Sequence, residues 1–152
     1  MIEVRRDNPN NIALAGLLSA HVAEQHGNTP PGFAFALDAR GLSDPAVTFW
    51  SVWDGDRVVG MGALKALDAE TGEVKSMRAD AAMRGRGVGH AVLSAIVAEA
   101  RARGYRRLYL ETGTTPAYDA ALALYRRAGF VACGAFADYR PSPHNQFLTL
   151  EL

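Results

Sequence analysis

Cysteine is almost missing from this chain. Cys133 is the single one, so an internal disulfide and a cysteine-rich metal site are both excluded. Its setting, Phe130-Val131-Ala132-Cys133, reads as a small apolar side chain in a strand rather than a nucleophile. Net charge is missing too: 16 basic residues balance 16 acidic ones, which argues against a broad nucleic-acid-binding face. Local basic clusters remain at Arg84/Arg86, Arg101/Arg103/Arg106/Arg107 and Arg126/Arg127. No apolar run approaches the ~20 residues of a membrane-spanning helix. No charged start followed by an apolar segment marks a secretory signal. The four histidines, His21, His26, His90 and His144, have no cysteine or second spaced histidine near them, so no metal site is expected. These absences lead to the expectation of a cytoplasmic protein without metal, membrane or nucleic-acid partner.

What is present is the make-up of an ordinary globular domain. Its 152 residues are 49% hydrophobic and 21% charged, enough for one core, so residues 1–152 are expected to form a single domain. Ile2 to Arg6 alternates as a strand, and Asp7-Asn8-Pro9-Asn10-Asn11 offers caps for a helix over Ile12–His26. Gly27-Asn28-Thr29-Pro30-Pro31-Gly32 is a loop, followed by a short helical piece over Phe33–Arg40. Val47–Trp53 and Arg57–Leu67 form a hairpin around Asp54-Gly55-Asp56, and Glu70–Ala79 adds a third strand. Val88–Arg103 is the best helix, closed by Gly104. Arg107–Thr112 is a strand, Tyr118–Arg127 a helix stopped by Gly129, and Phe130–Cys133 and Gln146–Leu152 are late strands. The order predicts an α/β fold: a mixed sheet of six to seven strands flanked by about four helices.

The densest signal is Arg84-Gly85-Arg86-Gly87-Val88-Gly89, between a strand and a helix. Glycine at every second position lets a backbone pass close to a ligand. The unpaired N–H groups of the helix start favour an anion such as pyrophosphate, and Arg84 and Arg86 add positive charge.

Arg84-x-x-Gly87-x-Gly89 after a strand and at a helix start resembles motif A of the GCN5-related N-acetyltransferase (GNAT) superfamily. Tyr125-Arg126-Arg127-Ala128-Gly129-Phe130 resembles the ending of that family's motif B, and the element order matches over essentially the whole chain. The resemblance implies an acetyl-CoA-dependent N-acetyltransferase that acts by direct attack in a ternary complex. The amides of Arg84, Gly85, Arg86, Gly87, Val88 and Gly89 would then hold the CoA pyrophosphate, with His90 beside them. Met77, Arg78 and Ala79 would offer backbone hydrogen bonds to the pantetheine arm, as if it were another strand. Tyr125 lies where the family places its proton donor to the departing thiolate. Glu73, eleven positions before Arg84, matches the base spacing of the histone acetyltransferase branch. Glu111 is the second candidate base. Many members carry an asparagine seven residues before the tyrosine; here that position is Tyr118, which could take over the cofactor contact.

The acceptor site of such a fold would be built from His21 to Leu42 and Ala135 to Gln146, which contain His26, Phe33, Phe35, Arg40, Tyr139, Arg140 and His144. His21, on the apolar stripe of the first helix, reads as a packed histidine. Beyond Glu24, the acidic residues there are Asp38 and Asp138 and form no cluster, whereas a polycationic acceptor demands several carboxylates. The expected acceptor is a small amine bearing a carboxylate, with Arg78 or Arg140 as counter-charge. A protein or peptide N-terminus, and a non-catalytic acyl-CoA-binding module on the same fold, stay open as alternatives, as does a homodimer.

Overall fold

The computed structural model describes residues 1–29 and 39–152. In chain order these form β1 (Ile2–Asp7), α1 (Ala15–Asn28), α2 (Ala39–Leu42), β2 (Val47–Asp54), β3 (Arg57–Ala66) and β4 (Thr71–Ala79), then α3 (Val88–Ala102), β5 (Arg107–Gly113), α4 (Asp119–Arg127), β6 (Val131–Cys133) and β7 (Asn145–Glu151). The seven strands make one sheet in the order β1-β2-β3-β4-β5-β7-β6. The expected mixed sheet with four helices is therefore present. The expected helical piece over Phe33–Arg40 lies mostly outside the described residues. Among the described residues, no helix is long and apolar enough to cross a membrane.

β1 to β4 lie antiparallel to one another in order, and β2 turns into β3 through the hairpin at Gly55, whose φ of +62° suits a glycine. β4 and β5 run parallel but pair only at Thr71↔Arg107, Gly72↔Leu108 and Glu73↔Tyr109. Beyond Glu73 and Tyr109 the two strands part, and β5 continues against β7 alone. β4 also bulges there, because Arg78 faces Met61 while Lys75 faces Ala63, one residue more on β4 than on β3. Ser76, inside the bulge, has φ +57°. Such a φ is rare outside glycine, and bulges of this kind gather next to active sites.

Each face of the sheet has its own core. On one, Val52, Leu64, Val74, Leu108, Leu110 and Leu148 pack with Val92 and Ile96 of α3. α3 lies this close because β3 has no side chain at Gly62, where a Cβ would come within 2.8 Å of Val92. On the other face, Leu14, Leu18, Leu42, Phe49, Met61 and Ala63 seat α1. Full burial of one such side chain stabilises by about 1.5–3 kcal/mol. Further along that second face, Phe136 stacks on Tyr109 at 4.9 Å and meets Phe147 edge-on at 5.7 Å, docking the loop between β6 and β7. α1 and this aromatic cluster flank the place where β4 and β5 separate.

Candidate active site

The chain leaves β4 through a turn that organises its amides in stages. Asp80 accepts a hydrogen bond from the Ala82 amide at 2.9 Å and caps the short 3-10 helix Ala81–Met83. The amides of Arg84 and Arg86 bond back to the carbonyls of Ala81 and Met83. Gly85 and Gly87 then take φ of +76° and +82°, and α3 makes its first internal bond from Ala91 to Gly87. No described backbone carbonyl receives the amides of Gly85, Gly87, Val88, Gly89 or His90. The expectation that every amide from Arg84 to Gly89 faces an anion is corrected accordingly: those of Arg84 and Arg86 are committed to the turn, and His90 joins the free set. Arg84 and Arg86 keep exposed side chains at the same spot. Gly89 has a different reason to be glycine, since a Cβ there would lie 2.9 Å from Leu124 of α4.

From this turn a groove of about 960 Å³ runs past Met77, Arg78 and Ala79, between α3 and α4, to Tyr118 and Tyr125. It meets a smaller pocket of about 80 Å³ at the parting of β4 and β5, and His21, Gln25, Tyr118 and Tyr125 line both. Tyr118 bonds to Gln25 at 3.0 Å and to Thr29 at 3.1 Å, while its ring fills the space that Gly113 leaves open. Its hydroxyl is thus committed to bracing α1. That weakens the expectation that it replaces the missing asparagine, although its ring does line the groove. Tyr125 is buried, with its ring edge-on to Phe130 at 5.8 Å. Burial pushes its phenol well above the usual value, so the group keeps its proton.

Both candidate bases reach the small pocket, in different states. Glu73 is only 3% exposed. Its Oε2 accepts a hydrogen bond from Tyr139 at 2.6 Å and pairs with the Lys75 ammonium at 3.1 Å. Lys75 also donates to the Tyr139 hydroxyl at 2.8 Å, closing a triangle. The Glu111 carboxylate makes no hydrogen bond to a described residue, and burial pushes it up to about 7. Lys75 opposes that shift and the negative charge of Glu73 adds to it. Glu73 is thus held in an ion pair, whereas Glu111 has no such partner among the described residues. Neither Arg78 nor Arg107 partners Glu111: Arg78 pairs with Glu24 at 2.6 Å and Arg107 with Glu151 at 2.7 Å.

His21 is a residue that sequence reading undervalued. It is 6% exposed, yet it lines the groove and the pocket, and burial with help from Arg78 lowers it to about 4. Arg78 lines the groove with its Nε buried and without a partner. Ser76 Oγ is likewise buried and unpartnered, and its residue lines the small pocket. Among the expected acceptor residues, Tyr139 reaches the site through Glu73, whereas His26 and Arg140 are exposed and His144 is half-buried; none of those three lines the pocket or the groove. Phe33 and Phe35 lie outside the described residues.

A glycine turn with free amides, a groove along the free edge of β4 and a pocket of carboxylates agree with the family comparison, in which the Acetyltransferase (GNAT) family model matches residues 14–130. The chain belongs to the GNAT acetyltransferases. It is 42% identical to the uncharacterized N-acetyltransferase YedL of Escherichia coli (strain K12), over 100% of this chain and 96% of that one. It is 40% identical to the uncharacterized N-acetyltransferase YsnE of Bacillus subtilis (strain 168), over 99% of this chain and 100% of that one. A crystal structure from Klebsiella pneumoniae, assigned as an acyl-CoA N-acyltransferase, superposes with a TM-score of 0.84 at 31% identity, covering 100% of this chain and 98% of that one. This GNAT protein is thus an acetyl-CoA-dependent N-acetyltransferase.

Proposed function

We propose that the enzyme acetylates the primary amine of a small, amino-acid-like molecule by direct attack in a ternary complex, with Glu111 as base and Tyr125 as acid. The observation that carries this reading is the junction of the two cavities. The groove that starts on the free amides of Gly85, Gly87, Val88, Gly89 and His90 ends where Tyr125 and Glu111 line the same pocket. Acetyl-CoA bound along the groove would supply an activated thioester at that junction. The free amides with Arg84 and Arg86 suit its pyrophosphate, and the unpaired edge of β4 at Met77 to Ala79 suits its pantetheine amides.

An amine must lose a proton to become a nucleophile, and the thiolate that departs must gain one. Glu111, pushed up to about 7, accepts a proton near neutrality and gives it up again. Tyr125, held as the phenol by burial, keeps a proton for the sulfur. Arg78 supports the carboxylate-bearing acceptor through its Nε, which is buried at the groove and unpartnered while Nη1 holds Glu24, whereas Arg140 is exposed and does not line the groove. A panel of amino acids, their amides and plain amines with acetyl-CoA, read by free thiol release, tests the reading. Faster release with amino acids than with their amides supports it. Release with peptides alone overturns it.

A further inference from the structure

Among the described residues, Glu111 faces two charged side chains, and they have opposite signs. The titratable groups around its pocket are Glu73 and Lys75 from β4, His21 from α1, Tyr118 and Tyr125 from the segment and helix after β5, and Tyr139 from the loop before β7. β7 sets the apolar Phe147 opposite Glu111. His21 is neutral at working pH and tyrosines carry no charge there. Arg78 and Glu24, further along the groove, neutralise each other at 2.6 Å. Among the described residues, the charge that Glu111 feels therefore comes from Glu73 and Lys75.

Both are held in place. Glu73 and Lys75 sit two apart on β4, so they project from the same face, and Glu73 pairs in register with Tyr109, two residues before Glu111 on β5. The Lys75 side chain is 10% exposed and the Glu73 side chain 4%. Tyr139 bonds to both and is itself pinned between Phe136 and Phe147 at 5.0 and 5.8 Å. Two carboxylates thus share a buried region with one ammonium, and the triangle spends that ammonium on Glu73.

We propose that Lys75 and Glu73 are opposed positioning residues for Glu111: the lysine favours its ionised form, the glutamate its protonated form, and Tyr139 holds both at fixed distance. With Lys75 alone, Glu111 would stay ionised and be a weak base. With Glu73 alone, two carboxylates would share one proton. Both together leave a group that exchanges its proton near the pH at which it works. The purpose of the device rests on the reading of Glu111 as the base; its test does not.

The test is a carboxyl ¹³C NMR titration of the full chain labelled in its glutamates, with the Glu111 signal identified by its loss in Glu111→Gln. Glu73→Gln should lower the Glu111 midpoint from about 7 by about one pH unit or more, and Lys75→Met should raise it by a similar amount. Lys75→Arg, which keeps the charge, should leave the midpoint near that of the wild type. If Lys75→Met does not fold, Lys75→Gln tests the same sign. Shifts in opposite directions support the proposal. Shifts in one direction for both variants, or no shift in either, overturn it. The two readings fail separately. An unmoved midpoint together with an inactive Glu111→Gln sinks this inference alone, whereas opposed midpoints together with full thiol release by Glu111→Gln sink only the base assignment.

Discussion

Tyr139 donates a 2.6 Å hydrogen bond to Glu73 across 66 residues of sequence, joining the loop before β7 to the strand that leads into the phosphate turn. The bond ends on a carboxylate that is almost wholly buried, where hydrogen bonds to charged groups count for more than at a surface. Tyr139→Phe keeps the ring among Phe136 and Phe147 and removes only the hydroxyl. Stability should fall by about 1–3 kcal/mol in chemical denaturation. A variant as stable as the wild type would show that the bond adds nothing net.

The two glycines of the turn should fail in different ways. Gly87 holds φ +82° beside the free amides, so Gly87→Asp puts strain and negative charge where an anion is expected. Affinity for CoA in calorimetry should drop at least tenfold, about 1.4 kcal/mol. Gly89→Ala meets Leu124 instead and should cost about 1–3 kcal/mol of stability. Normal CoA affinity in a folded Gly87→Asp would remove the phosphate from this turn.

Tyr125→Phe tests the acid. The hydroxyl makes no hydrogen bond to a described residue, so its loss leaves the packing against Phe130 intact. Thiol release at saturating substrate should slow by roughly 10²-fold to 10⁴-fold while CoA affinity holds. Retention of most of the rate would leave Tyr125 as a packing residue.

Glu111 makes a prediction about rate and another about stability. Below about 7 it is protonated and cannot act as base, so kcat/KM should rise with pH through that value, and Glu111→Gln should lose the rise. For stability the sign runs the other way. The folded group binds its proton more tightly than the unfolded one, whose ordinary value is 4.5, so wild-type stability relative to Glu111→Gln should fall between pH 4.5 and about 7 and level off above. A flat difference across that window would mean the carboxyl titrates normally.

His21 gives the opposite slope at lower pH. Its ordinary value of 6.5 falls to about 4 in the fold, so the unfolded chain takes up the proton first. Stability should therefore decline as pH drops from 6.5 to about 4, and His21→Gln should lose most of that decline. Equal acid sensitivity of the two proteins would place the cause elsewhere.

The parts of the site that local chemistry dictates were readable from the sequence. Glycines at 85 and 87, followed by apolar spacing from Val88, specify a turn and a helix start, because positive φ and 3.6-residue periodicity are properties of neighbours in the chain. The strand carrying Glu73 was equally legible. What Glu73 touches was not, since Lys75 is two residues away but Tyr139 arrives from a distant loop, and only their meeting decides that the carboxylate is occupied. The state of Glu111 was hidden for the same reason. Its elevated proton affinity comes from tertiary burial, which no pattern within β5 displays. Gly89 taught a smaller lesson: one motif glycine answers to α4 rather than to a ligand.

The three register pairs between β4 and β5 also have a mechanical meaning. They are the direct sheet seam between two blocks, β1 to β4 on one side and β5 with β7 and β6 on the other. A seam three pairs long, matched only by the outer β7–β6 joint, is short beside its neighbours β3–β4 and β5–β7, which hold six and seven pairs. A ligand lying in the gap touches both blocks and acts as a rivet, so occupancy should slow amide exchange at Gly72 and Leu108 more than at the far edge on β1.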